Sequence, residues 1–136
     1  ARVPSRLDPP PFRPAYTDRP YPIMRLPLPL SGLPSIQTAD LDYEARRESF
    51  LHLELDRPSK VYVAYLATAK QIPHWLRKFA PESMHIEIDH PGGRMMFPVY
   101  SRDFPAGKVT LGGNQAPGCL GPAFMNYLVA VKAEIG

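Results

Sequence analysis

The chain has 136 residues, a 44% share of apolar residues and a net charge of +3. A chain of this size has room for one domain that buries roughly two-thirds of its unfolded surface. Its most apolar stretch, residues 23–33, is interrupted by Arg25 and two prolines. It falls far short of the ~20 residues of a transmembrane helix, so the sequence predicts no membrane span.

The positive charge is confined to the first quarter of the chain. Residues 1–34 contain five arginines and two aspartates, which accounts for the whole net charge, and the remainder is neutral. Recognition of nucleic acid uses a clustered basic surface, so we expect no nucleic-acid partner. The single cysteine, Cys119, excludes an intramolecular disulfide and a zinc motif built on paired cysteines.

Residues 1–34 are predicted to form an extended proline-rich arm. Ten of the eighteen prolines lie there, and because proline blocks helical and ladder hydrogen bonds, polyproline II geometry is expected. We expect the arm to pack along its own domain, along a partner protein, or along both, since a stiff segment loses little entropy on docking. The hydrophobic side chains available for this contact are Phe12, Tyr16, Tyr21, Ile23, Met24, Leu26, Leu28 and Leu30.

From residue 35 onward, the alternation of apolar and polar residues predicts short strands. Leu51, Leu53 and Leu55 alternate with polar positions, as in a half-buried antiparallel strand. A four-residue loop is expected to join this strand to the next one as a hairpin. Both faces of that next stretch, residues 61–66, are apolar or aromatic, which predicts a central strand covered on both sides.

A short helical turn is predicted over Ile72–Phe79, because Pro73 suits the first helical position. Trp75, Leu76 and Phe79 would then share a face and cap the core.

Four more strands are predicted, separated by turns rich in glycine and proline, at residues 84–89, 95–101, 108–111 and 124–132. Pro98 lies inside the second of them. Because proline cannot donate to a ladder, this strand is expected at an edge or bulged at that point. The series predicts an all-β fold, an antiparallel β-sandwich of residues 35–136 that follows the arm.

No arrangement of residues points to catalysis or to a cofactor. His85 and His90 are five residues apart on a predicted strand and so face opposite ways, which disfavours a metal site. Cys119 lies in a loop rich in glycine and proline without a nucleophile motif. The acidic residues of 40–48 stand among arginines and are expected to form solvated ion pairs. We therefore predict a protein that is not an enzyme and needs no cofactor or metal.

Four stretches of the sequence resemble a β-sandwich module found in exported bacterial proteins: VYVAY (61–65), PHWL (73–76), FPVYSRDFPAGKVTLGGN (97–114) and YLVAVK (127–132). The resemblance covers about residues 43–133, and DFPAGKVTLGGN is its most specific part. It implies a jelly-roll, galactose-binding-like sandwich that is appended to secreted proteins such as carbohydrate-active enzymes. It also implies an accessory module without a catalytic centre of its own.

The chain departs from the family pattern after VYVAY, where Leu66 stands in place of the usual aspartate. An apolar residue at an exposed loop position favours a protein-contact surface over a sugar site. Leu66 and Trp75 are therefore the candidates for a ligand or partner surface. The resemblance and the absence of a starting methionine predict an exported protein, periplasmic or extracellular, whose signal peptide has been removed.

Two functions are compatible with this sequence. The first is a non-catalytic structural or assembly subunit that its arm docks into a larger protein complex. That complex is an extracellular assembly or the periplasmic face of a membrane complex for electron transfer or photosynthesis. The alternative is a carbohydrate-binding accessory module. An assembly subunit needs the arm to retain its partner, whereas a carbohydrate-binding module holds polysaccharide without it.

Overall fold

The computed structural model describes residues 3–6, 15–19, 21–121 and 123–134, with the backbone alone for residues 3–6. The strands of this described part are β1 (Val3–Arg6), β2 (Ile23–Arg25), β3 (Pro34–Gln37), β4 (Leu51–Leu55), β5 (Ser59–Ala64), β6 (Ala80–His90), β7 (Gly93–Phe104), β8 (Gly107–Leu111) and β9 (Leu128–Ala133). Short 3₁₀ helices cover Leu28–Leu30, Asp40–Glu44 and Leu76–Lys78. Within the described ranges, no helix has the length and apolarity to cross a membrane.

The strands form two antiparallel sheets. The large sheet has seven strands in the order β1-β3-β9-β5-β7-β6-β2, and the small sheet pairs β4 with β8. A cluster of buried side chains fills the space between the two sheets. The prediction of an antiparallel β-sandwich is confirmed.

The central strand of the large sheet is β5, as its sequence predicted. It pairs with β7 on one side and with β9 on the other. Val61 and Val63 face the small sheet, while Tyr62 and Ala64 face the opposite side. Because side chains alternate along a strand, both faces of the large sheet are apolar and both need a cover.

The second cover is the chain's own proline-rich segment, described over residues 15–19 and 21–34. Ile23 extends the large sheet through the pairing of β2 with β6, and Leu30 is 1% exposed. Leu30, Tyr62 and Val99 help to enclose a cavity of about 10 Å³, which leaves room for about one water at most. The described segment therefore packs along its own domain, and the boundary predicted between residues 34 and 35 falls inside β3.

The hairpin predicted between β4 and β5 is wrong. β4 pairs with β8, and β5 pairs with β7 and β9, so the loop at residues 56–58 carries the chain from the small sheet to the large one. Alternation along a strand reports which face is buried. It does not report which strand lies alongside.

Pro98 was predicted at an edge or at a bulge; the edge position is wrong, since β7 lies inside the large sheet between β5 and β6, but the ladder is irregular at this point. The irregularity is in the neighbouring strand, whose register shifts between Pro81 and His85. Opposite this shift, Pro81 pairs with Tyr100 and His85 with Pro98, so three residues of β6 face one residue of β7. A bulge interrupts the ladder, here beside a residue that has no N–H to donate.

Other predicted elements appear with shifted bounds. The helical turn predicted over Ile72–Phe79 is reduced to the 3₁₀ helix at Leu76–Lys78, and the final strand begins at Leu128, four residues later than predicted. β8 and its inward residues Val109 and Leu111 follow the prediction closely.

Leu30→Ala tests whether the proline-rich segment is part of the core. We expect it to lower the free energy of unfolding by about 2–5 kcal/mol, because a buried leucine leaves a cavity. Leu28→Ala is the matched control, since Leu28 lies in the same 3₁₀ helix but is 89% exposed. It should change stability very little. Urea unfolding measures the free energy of unfolding of both variants. Equal losses in the two would contradict the conclusion that the proline-rich segment is part of the core.

Candidate functional site

A polar cluster, buried except for Asp18, joins the proline-rich segment to the loop before β9. We call it the polar clamp, and its side chains are those of Tyr16, Asp18, Thr38, Asp40 and Asn126. The Tyr16 hydroxyl donates to the Asn126 carbonyl oxygen over 2.7 Å. The Asn126 amide nitrogen Nδ2 donates to Thr38 Oγ1 over 2.9 Å, and the Asn126 backbone N–H donates to Asp40 Oδ1 over 3.1 Å. The Asp40 N–H in turn donates to Asp18 Oδ1 over 2.6 Å.

The two aspartates of the polar clamp have pKa values shifted in opposite directions. Burial raises the pKa of Asp40 by more than the hydrogen bond from Asn126 lowers it. Burial also acts to raise the pKa of Asp18, but hydrogen bonds from the N–H groups of Asp40 and Leu41 outweigh it and hold that pKa below its ordinary value. Each carboxylate accepts from backbone N–H groups of another segment, so the cluster serves to position the chain.

Sequence reasoning missed the polar clamp. Asp40 was expected in solvated ion pairs, which is wrong, because its side chain is buried. Asn126 was not considered, although it is fully buried and its Oδ1 has no hydrogen-bond partner within the described residues. The available signal was a polar residue placed directly before the apolar run of the last strand.

The outward side of the proline-rich segment forms a surface that we call the proline-rich ridge, residues 24–29, in which exposed Leu28 and Pro29 accompany exposed Arg25. Buried Ile23 and Leu30 hold its two ends. Leu28, inside the ridge, is the most exposed large apolar side chain of the described structure at 89%. A segment fixed at both ends and stiffened by prolines presents this side chain in one place.

The predicted partner-binding residues fall into groups with different environments. Tyr16, Ile23 and Leu30 are buried in the domain's own core, which is the first of the alternatives given for these side chains, and they are not exposed to a partner. Leu28 is exposed, and Tyr21, Met24 and Leu26 are half-buried. Phe12 lies outside the described residues.

Leu66 is not a surface residue, and that prediction is wrong. The chain continues the strand geometry past β5, since the Tyr65 N–H donates to the Pro98 carbonyl and the Ala67 N–H to the Met96 carbonyl. Alternation then turns Leu66 to the face that the proline-rich segment covers, where it is 1% exposed.

Trp75 is anchored in the core between the two sheets. Its indole Nε1 donates to the Gly113 carbonyl oxygen over 3.0 Å. Its ring lies 5.1 Å from that of Tyr127 and 6.1 Å from that of Phe79, measured between centroids. A Cβ built on Gly112 would overlap the indole. These contacts occupy the ring, and they argue against Trp75 as a platform for a sugar.

Cys119 takes part in a buried hydrogen-bond chain. The Tyr65 hydroxyl donates to the Asn114 carbonyl oxygen over 2.7 Å and lies 3.1 Å from Cys119 Sγ. Burial raises the pKa of Tyr65 well above its ordinary value, so the hydroxyl keeps its proton. Because the hydroxyl donates its single proton to the Asn114 carbonyl oxygen, the Cys119 thiol is the donor in the contact between Tyr65 and Cys119.

The histidines are engaged separately. His52 Nδ1 lies 3.2 Å from Thr110 Oγ1, and His85 Nε2 lies 2.9 Å from Glu87 Oε2. Tyr21 packs against the His90 ring at 5.1 Å. Over the described residues, no group of three or more His, Cys, Asp and Glu side chains is placed to hold a metal ion.

Two grooves on the described surface have volumes of about 380 Å³ each. One runs between the sheets and is lined by residues of β3, β4 and β9. We call it the inter-sheet groove. The other lies at one end of β5 and β9, where Lys60, Tyr62 and Lys132 line it. Neither was foreseen from the sequence, because both depend on how the two sheets overlap.

Comparison with solved structures finds this fold inside a larger chain. The structure of a beta-glucuronidase from glycoside hydrolase family 2 matches 99% of this chain with a TM-score of 0.82 and 21% sequence identity. The match spans only 14% of that chain. No family model and no curated protein matches the sequence.

Gly112→Ala tests the anchoring of Trp75. The added methyl occupies the place of the indole, so we expect the ring to shift, its bond to Gly113 to be lost, and stability to fall by about 1–3 kcal/mol. Trp75 is the only tryptophan, so its emission in urea unfolding reports the change directly. Gly92→Ala, which meets only the flexible His90 side chain, should leave the emission unchanged. Native emission in Gly112→Ala would contradict the arrangement.

Asp18→Asn and Asp40→Asn should change the pH dependence of stability in opposite directions. The lowered pKa of Asp18 means that its contribution is present above its unfolded pKa and is lost as pH falls through the folded pKa. The raised pKa of Asp40 means that folding is favoured below its unfolded pKa and disfavoured as pH rises through the folded pKa.

We therefore expect Asp18→Asn to lower stability at neutral pH, with the loss shrinking in acid. Asp40→Asn keeps an acceptor for the Asn126 N–H and should raise stability at neutral pH, with the gain vanishing in acid. Free energies of unfolding measured from neutral pH to below the ordinary aspartate value of 3.8 check both. Parallel changes in the two variants would contradict the assignment.

Proposed function

We propose that the chain is a non-catalytic accessory β-sandwich module that docks to another protein through the proline-rich ridge. The observation that carries this proposal is Leu28, which is 89% exposed and lies in a segment whose two ends, Ile23 and Leu30, are buried. Burying an exposed leucine contributes roughly 1.5–3 kcal/mol. A surface that is already ordered loses little entropy on docking.

The comparison with solved structures supports an accessory role. The same fold occupies 14% of the beta-glucuronidase chain, so it exists there beside other parts of a larger protein. For this chain we propose a similar relation, in which the module contacts a neighbouring domain or subunit. The motifs shared with exported modules support a periplasmic or extracellular location for that assembly.

Carbohydrate binding is the second candidate. The fold likeness to a chain named as a glycoside hydrolase favours it, and so does the groove that Lys60, Tyr62 and Lys132 line. The flexible lysine side chains of this groove carry hydrogen-bond donors suited to sugar hydroxyls.

Leu28→Asp separates these two functions. If the proline-rich ridge docks a protein, the charge placed on it should weaken partner binding by about tenfold or more, equivalent to about 1.4 kcal/mol. Because Leu28 is exposed, the variant should fold normally. The measurement is quantitative recovery of partners by the tagged chain from membrane and secreted fractions of its source cells, together with its mobility in polysaccharide gels.

Leu120→Asp is the matched control, since Leu120 is a 55% exposed leucine outside the proline-rich ridge. A protein partner lost with Leu28→Asp and retained with Leu120→Asp supports docking. Equal recovery by both variants overturns the proposed ridge. Retardation by polysaccharide that neither substitution changes favours the carbohydrate-binding module.

A further inference from the structure

In the described structure the small sheet has two strands, so each has one backbone edge without a ladder, and the edge of β4 lies beside a groove. β4 pairs with β8 along its full length, from Leu51 opposite Leu111 to Leu55 opposite Gly107. No other described segment forms a ladder with β4, which lies at the end of the small sheet. Its sequence, LHLEL, contains no proline, and its register with β8 contains no bulge. An edge strand that has neither a proline nor a bulge is a template for pairing with an added strand.

The inter-sheet groove lies along this open edge. Ile36 of β3 and Val131 of β9, both partly buried, line it from the large sheet, and Leu53 and Leu55 line it from β4. The large sheet continues past β9 with β3 and β1, whereas the small sheet stops at β4. The groove of about 380 Å³ is therefore the place that a third strand of the small sheet would occupy.

The overlap of the sheets argues against a second copy of the chain as the occupant. Two copies joined edge to edge through β4 would form one continuous small sheet with both sets of inward leucines on the same side. Both large sheets would then lie under it. Each extends two strands beyond β9, so β3 and β1 of the two copies would compete for the same space. A single extended segment fits where a second domain does not.

The groove's charges indicate the chemistry of that segment. Its charged lining residues are Glu54 and Asp56, and it contains no lysine or arginine. Asp56 has Arg57 at 3.8 Å. Glu54 stands opposite Lys108 in the β4–β8 register, but no ion pair joins them in the described structure. Glu54 thus offers its carboxylate to a cation on the open side of β4, where a cross-strand neighbour would lie.

We propose that the inter-sheet groove binds an extended, basic segment of a partner protein, which pairs with β4 as the third strand of the small sheet. Alternate aliphatic side chains of that segment cover Ile36 and Val131, and lysine or arginine lies beside Glu54. This inference rests on the proposed docking function. It uses a surface separate from the proline-rich ridge, so each can fail without the other.

The test uses the whole chain and a blocked peptide of about nine residues that alternates lysine with valine and isoleucine. At ~3.3 Å per residue, such a peptide spans β4 with a margin at each end. Its binding is measured by fluorescence anisotropy, and hydrogen exchange reports the amides of residues 51–55. We expect saturable binding and protection of these amides. A peptide with glutamate in place of each lysine should not bind, and neither should one N-methylated on the edge that faces β4.

Glu54→Lys should weaken binding of the lysine peptide by about tenfold, and Glu48→Lys, an equal charge change at an exposed site away from the groove, should not. Leu28→Asp should leave this binding intact, which distinguishes failure at the groove from failure at the proline-rich ridge. The proposal is overturned if no peptide protects residues 51–55. It is also overturned if the glutamate peptide binds as well as the lysine peptide, or if the Glu54→Lys variant binds the lysine peptide as well as the unchanged chain does. Protection of residues 51–55 by an oligosaccharide instead of a peptide would overturn it too.

Discussion

The structure depends on burying β5 on both of its faces. Val61 and Val63 on one side, and Tyr62 and Ala64 on the other, leave no face of this strand suited to water. At roughly 25 cal/mol per Å² of buried apolar area, neither face is stable uncovered. The small sheet covers one, and the proline-rich segment covers the other. A stretch whose composition is typical of a flexible linker is therefore a structural layer.

Proline suits this covering role for a physical reason. A segment that crosses the face of a sheet finds few backbone partners, and each unpaired, buried N–H group costs free energy. Proline has no N–H to bury, and it reduces the entropy of the unfolded chain. The polar clamp supplies hydrogen bonds where the segment starts, at Tyr16 and Asp18. Docking through the outer side of this layer leaves the cover in place, whereas a detachable arm would expose the sheet beneath it.

The sequence predicted what is local and periodic. The two apolar faces of β5 and the inward leucines of β4 follow from alternation alone, and the sandwich follows from the number of such strands. It did not predict that β4 and β5 belong to different sheets, because pairing depends on the whole topology. Leu66 was placed at the surface because it stands where the resembling family has an aspartate, yet the strand geometry continues through it. Asp40 and Asn126 are 86 residues apart, and no local pattern announces such a contact.

The position of β9 has a consequence for how the chain is made. β9, which follows the other described strands in sequence, lies between β3 and β5, so neither of these strands has its neighbour on that side until residues 128–133 have been made. The Tyr16 hydroxyl likewise cannot donate to the Asn126 carbonyl until that residue, 110 positions later, has been made. Contacts of such sequence separation form slowly, and unpaired strand edges are prone to aggregate meanwhile. The nascent chain therefore leaves the facing edges of β3 and β5 unpaired until β9 fills the gap between them.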